Sequence, residues 1–217
     1  MKSNRIVVLT SLAMIIIFIS ISFFVFKQLN LKSVSEEKIL KQTNNSPVLG
    51  RKGSSNLIVV FIDFNCPFCK EFDEKVFQQL NEKYIKKGKA EYRIVNAAIL
   101  GKDSLNAARA AHAVNIYSPE KYWEFQHKLF EEQSNSKKEI LSSSLVDKKL
   151  NELNIHSEQL RNIKKDYKTE NSRSWKLANK DKDLFHKLNL EYVPSVYVNG
   201  VFIKEPNEIN NIEKEFK

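Results

Sequence analysis

The stretch NLIVVFIDFNCPFCKEF, residues 56–72, constrains the fold more than any other part of the chain. Its first nine residues are almost all apolar, carry β-branched and aromatic side chains and are too few for helical periodicity, which predicts a strand buried on both faces. From Cys66 onward the pattern changes: Cys69, Phe72, Val76 and Leu80 recur at helical spacing, while Lys70, Glu71, Asp73 and Glu74 fill the other face. A buried strand running straight into an amphipathic helix is a building unit of α/β sheets, and here it puts both cysteines of the chain at the helix start. Pro67 falls where a missing N–H costs nothing and a fixed φ favours the first turn.

The remaining segments extend this unit. EYRIVNAAI (91–99) predicts a second strand, parallel to the first if the helix between them is a right-handed crossover. Ser104 is placed to cap LNAARAAHAV, and Ser118 with Pro119 opens EKYWEFQHKLFEEQ, whose Tyr122, Phe125 and Leu129 share one face. Val146, Leu150 and Leu153 mark a third helix, and Leu160 with Ile163 a short fourth. Trp175, Ala178, Phe185 and Leu188 suit a longer helix returning to the strands. SVYVNGVFI (195–203) alternates around Asn199-Gly200, the dipeptide of a two-residue hairpin, and Ile209, Ile212 and Phe216 line a final helix. With 42% hydrophobic residues in 217, the chain can bury one sizeable core. The expectation is one α/β domain over residues 50–217 with an all-helical insertion over about 102–175.

Residues 6–26, IVVLTSLAMIIIFISISFFVF, are uncharged for 21 positions. At about 1.5 Å per residue such a helix matches the roughly 30 Å hydrocarbon core of a bilayer. An N-terminal transmembrane anchor is expected, because the run exceeds the 7–15 residues, roughly, of a signal-peptide core. The single small-x-small site, SVS at 33–35, lies beyond Lys27 and Lys32, which disfavours cleavage. Residues 1–5, with Lys2 and Arg5, then form a cytoplasmic leader, and residues 27–49, rich in Ser, Asn, Lys and Gln, read as a polar linker. Lysines on both sides of the span leave charge counting equivocal, but a short basic leader before the first apolar segment is the export pattern. The net charge of +9, from 35 basic and 26 acidic residues, is spread among interleaved acids and bases. No basic block carries interleaved aromatics, so nucleic acid is not an expected partner.

A Cys-x-x-Cys pair allows three readings. Zinc needs four ligands, and beyond this pair the sequence offers only His112, His127, His156 and His186, far apart and read as ordinary surface or core residues; no metal site is expected. A structural bridge between neighbours three apart closes a tiny loop and stabilises little. The redox reading remains, because the unpaired N–H groups and macrodipole of a helix start stabilise a thiolate. Cys66, at the exposed end, is then the nucleophile, and Cys69, one turn on, is placed to attack a mixed disulfide.

These residues resemble the DsbA-like thioredoxin-fold thiol oxidants, in particular the membrane-anchored BdbD type of Gram-positive bacteria. The resemblance covers about residues 47–204: VVFIDFNCPFCKEF is similar to the family's strand and active-site helix, AARAAHAV and YWEFQHKLFEEQ to its helical insertion, and EYVPSVYVNG to its proline loop. It implies a thioredoxin-like fold, catalytic Cys66 and Cys69 working as a redox-active disulfide without another cofactor, and support from Pro67 and Phe68. It also implies a cis Pro194 after Val193, facing the cysteines at the substrate site, and reoxidation by a quinone-linked membrane protein of the DsbB or BdbC kind. Two departures stand out. Thioredoxin-like proteins often have a buried acid six residues before the first cysteine, where this chain has Val60; Asp63 is expected instead to order the turn into the helix. Phe68 occupies the place of a thiolate-assisting histidine, so the helix end must supply most of that stabilisation.

The reading is an extracytoplasmic, membrane-anchored disulfide donor to exported, folding proteins with free thiols, since a reducing cytosol would keep the pair reduced. Its rivals are a reductase or isomerase on the same fold, and a non-catalytic peptide-binding module.

Overall fold

The computed structural model describes residues 14–23, 35–133 and 141–217. The chain divides into two units, Met1–Val34 and Ser35–Lys217. In the first, residues 14–23 are helical with exposed side chains. Among the described residues no helix is long and apolar enough to cross a membrane; the leader and both ends of the 6–26 span lie outside them.

The second unit is built on a five-stranded sheet in the order β1-β3-β2-β4-β5: β1 Val48–Gly50, β2 Asn56–Ile62, β3 Ala90–Asn96, β4 Ser195–Val198 and β5 Val201–Ile203. β2 and β3 are parallel, in register from Asn56 opposite Ala90 to Ile62 opposite Asn96, and the other neighbours are antiparallel. Every residue of β2 and β3 is buried, as expected of central strands covered on both faces. Alternation of side chains sends Phe61 to one face, against Phe185 and Tyr197, and Tyr92 to the other, against Phe77. The hairpin turns at Asn199 and Gly200, whose φ values of 51° and 86° are those a two-residue turn of this hand requires.

The cysteine helix α2 starts as Pro67–Phe72 and continues, partly in a wider helical pitch, to Ile85. The helical block follows β3: α3 Lys102–Tyr117, a turn of 3-10 helix at Pro119–Lys121, α4 Tyr122–Glu132, α5 Ser143–Asn151, α6 Ser157–Lys168 and α7 Arg173–Lys187. The block therefore runs past residue 175, and its fourth α-helix is 12 residues long rather than short. A short α8, Ile209–Glu213, closes the chain.

Two further expectations are corrected. The 27–49 segment is not linker throughout, because α1, Glu36–Gln42, and β1 belong to the folded unit. Ser35 caps α1 through Lys38 N (3.3 Å), and Ile39 is fully buried. The helix is then held by Arg93, whose Nη1 donates to Leu40 O (2.8 Å) and Thr43 Oγ1 (3.0 Å). That guanidinium is paired with Glu91 at 2.6 Å, and Glu91 also accepts from Gly53 N at 2.6 Å. A polar segment is thus recruited by a buried ion pair that needs donors and acceptors to complete it. The second correction is Ser104, which lies inside α3 rather than at its cap, Gly101; its hydroxyl is taken by Asp63 instead.

Candidate active site

β2 ends at Ile62, and four residues carry the chain from the sheet to α2. Asp63, 1% exposed, organises this turn: Oδ1 accepts from Asn65 N (2.8 Å) and Ser104 Oγ (2.7 Å), and Oδ2 accepts from Leu100 N (2.8 Å). Asn65 Nδ2 donates to Ser104 Oγ (2.9 Å), and Asn65 Oδ1 accepts from Leu141 N (3.5 Å). From the end of α4, Gln133 Nε2 donates to Phe64 O and, at 3.4 Å, to Cys66 O. The helical block therefore clamps the turn that aims the first cysteine. Distant in sequence, Gln133 carries no local signal that would single it out.

Cys66 is the N-cap residue of α2, with Pro67 at the first helical position. Its extended backbone brings the N–H groups of Phe68 and Cys69 to the side of its own sulfur, Cys69 N also donating to Cys66 O at 3.1 Å. Both cysteines are thiols here and both are buried. The Cys66 pKa is lowered to about 7, first by the hydrogen bond from Cys69 and further by the backbone N–H groups of Cys69 and Phe68; burial and the Asp63 charge push the other way. Cys69, fully buried, is driven well above the ordinary thiol range by burial first, and then by its bond to Cys66. Its sulfur accepts a hydrogen bond from Asp63 N at 3.4 Å. The two thiols thus differ sharply: one half ionised near neutrality, the other held protonated.

The second loop at the site precedes β4. The Val193–Pro194 bond is cis, and the Cys66 thiol donates to Val193 O at 3.4 Å. Cys66, Cys69, Pro67 and Val193 therefore come together at the carboxyl end of β2, with Pro194 in the same loop. Phe68 differs: its side chain is 62% exposed, and its contribution to the thiolate is its backbone N–H. Exposed Leu100 and Tyr192 adjoin the Asp63 turn and the Val193 loop respectively. Among the described residues no group of three or more His, Cys, Asp or Glu side chains converges as metal ligands.

A family model described as thioredoxin matches residues 42–216. Disulfide bond formation protein D of Bacillus subtilis is 34% identical over 177 residues, covering 79% of this chain and 77% of the relative. Probable disulfide bond formation protein D of Bacillus anthracis is 31% identical over 205 residues, covering 92% and 90%. Among solved structures, oxidised BdbD from Bacillus subtilis superposes with a TM-score of 0.71 at 30% identity, over 79% of this chain and 93% of that one.

Proposed function

Because the chain belongs to the DsbA-like thioredoxin family of disulfide bond formation protein D, and is a protein disulfide oxidoreductase, we propose that it donates the Cys66–Cys69 disulfide to thiols of folding exported proteins. In the oxidised pair, a substrate thiolate attacks Cys66 Sγ, the bond to Cys69 breaks, and Cys69 leaves and takes up a proton. A second substrate thiolate then attacks the substrate sulfur of the mixed disulfide and releases Cys66 as a thiolate. Two electrons pass from two substrate thiols to the pair, the substrate gains a disulfide, and the pair ends reduced.

The observation that carries this direction is the asymmetry of the thiols. Low-pKa thiols leave readily, and Cys66, at about 7, is the leaving group of the donating step. Cys69, held protonated, is a poor nucleophile, so its return attack on the mixed disulfide, which would hand back an unoxidised substrate, is suppressed. Exposed Phe68, Leu100 and Tyr192 near the thiol suit unfolded chains presenting apolar side chains beside their cysteines. The Val193 loop runs beside the thiol, where its backbone suits pairing with an extended segment.

Residues 6–26 act as an uncleaved membrane anchor with the catalytic unit outside the cell, where a disulfide donor persists. Reoxidation is assigned to a quinone-linked membrane protein of the DsbB or BdbC kind, which passes the two electrons of the Cys66–Cys69 dithiol to quinone. The test is stoichiometric oxidation of a reduced, unfolded protein by the oxidised chain. Cys66→Ser should abolish it, as should Cys69→Ser, which has no disulfide to give; Cys69→Ser mixed with glutathione disulfide should instead hold one glutathione at Cys66 and release the other as a thiol. Retained oxidation in Cys66→Ser would sink the proposal.

A further inference from the structure

The charged group closest in role to the cysteines is one the reaction above does not use. Asp63 is 1% exposed, and its carboxylate is held by Asn65 N, Ser104 Oγ and Leu100 N at 2.7–2.8 Å. All three donors are uncharged, so among the described residues hydrogen bonds satisfy the oxygens without a cation to neutralise them. The same residue's backbone N–H donates to Cys69 Sγ at 3.4 Å. One residue therefore grips the buried sulfur through its backbone and the turn through its side chain, and leaves a negative charge beside the place where a thiolate must form.

We infer that Asp63 is a positioning residue with an electrostatic duty: it fixes the turn that carries the cysteines, and its charge restrains thiolate formation at Cys66, limiting how strongly the site oxidises. The inference rests on the disulfide-donor reading. The groups acting on the Cys66 sulfur fall on two sides. Cys69 Sγ–H and the N–H groups of Cys69 and Phe68 favour the thiolate, while burial and Asp63 oppose it, and Asp63 opposes ionisation of Cys69 as well. In the disulfide form neither sulfur carries charge, so the carboxylate weighs on the reduced state. Removing its charge stabilises the reduced pair and makes the disulfide a stronger oxidant. With Asp63 in place the site keeps a disulfide that substrates can take but that is less readily lost to any passing thiol.

The experiment uses the full-length chain in detergent, reduced, as wild type, Asp63→Asn and Ser104→Ala. Asparagine keeps the size, and its oxygen can still accept from Asn65 N and Ser104 Oγ while the bond from Leu100 N is lost. The ultraviolet absorbance of the Cys66 thiolate is titrated, and the pair is equilibrated with glutathione. Asp63→Asn is expected to raise the thiolate-to-thiol ratio of Cys66 near neutral pH by roughly three- to tenfold, the larger figure being one pKa unit. The equilibrium against glutathione should shift towards the reduced pair in the same sense; a tenfold shift corresponds to about 30 mV. Ser104→Ala loosens the turn and keeps the charge, so it should not raise that ratio. A purely structural role makes the opposite prediction, since a loosened helix end moves Cys66 up towards a free thiol in both variants. An unchanged or lower thiolate fraction in folded Asp63→Asn overturns the inference. Should that variant not fold, the carbon-13 resonance of the Asp63 carboxyl in the wild type decides. It should shift with an inflection at the Cys66 titration, and a flat signal through that titration overturns the charge coupling. Failure of the donor reading looks different: the wild-type disulfide would then not oxidise substrate thiols at all, whatever Asp63→Asn does to the titration.

Discussion

Raising the pH from about 6 to about 9 should stabilise the reduced fold relative to a Cys66→Ser variant, and the size of the gain follows from the thiol's environment. Cys66 has a folded pKa of about 7 against an ordinary value of 9.0. A group whose folded pKa is depressed contributes stability that is fully present above the unfolded pKa and is lost as pH falls through the folded one. Two units at about 1.36 kcal/mol each set a ceiling of roughly 2.7 kcal/mol, of which only about 0.4 is present at neutrality. Cys66 is 5% exposed rather than fully enclosed, and solvent screening reduces the ceiling to about 1–2 kcal/mol. Cys69, whose ionisation in the fold is opposed by burial, is present in both proteins, so its own contribution drops out of the difference. The difference in stability should therefore climb between about pH 7 and 9 and then level. Urea unfolding of reduced chains starting at Ser35, run at a series of pH values with both proteins, reads it directly. A pH-independent difference, or one that grows as pH falls, would refute the assignment of Cys66 as a thiolate stabilised by the start of α2.

Two further variants probe the supports of the site. Phe68→His puts an ionisable ring at a position 62% exposed, next to the sulfur its backbone already serves; the Cys66 thiolate should form at lower pH, seen as earlier thiolate absorbance, and no change would show that the ring does not reach the sulfur. Arg93→Ala leaves Glu91 buried without its 2.6 Å partner and removes the donors to Leu40 O and Thr43 Oγ1, so unfolding should cost about 3–5 kcal/mol less, with α1 becoming the first region cut by protease. Stability within about 0.5 kcal/mol of wild type would mean that the ion pair does not hold α1 to the sheet.

What was legible in the chain was local. The apolar run 56–62, the helical spacing from Cys69 to Leu80 and the Asn199-Gly200 turn each follow from short-range preferences, and each appears as expected. What escaped was set by partners far away. Residues 36–48 have the composition of a tether, yet fold because Arg93, some fifty positions on, needs the carbonyl of Leu40 and the hydroxyl of Thr43. A signal existed: Glu91 and Arg93 sit two apart on a strand with no exposed residue, and buried opposite charges on one face must find each other and further polar groups. Ser104 has the residue type of a cap, but Asp63 competes for its hydroxyl across 41 positions. Asp63 itself was readable as a turn residue; its grip on Leu100 and Ser104, from the loop and helix after β3, needed the fold.

The central claim is that this pair gives disulfides away rather than reducing them. The reduction potential of Cys66–Cys69, measured by equilibration with glutathione at neutral pH, tests it most directly. A half-ionised Cys66 beside a protonated Cys69 stabilises the reduced state, so the account predicts a potential more oxidising than roughly −200 mV, towards the DsbA end of the thioredoxin-fold range. A value near the −270 mV, approximately, of thioredoxin would contradict it and make the chain a reductase.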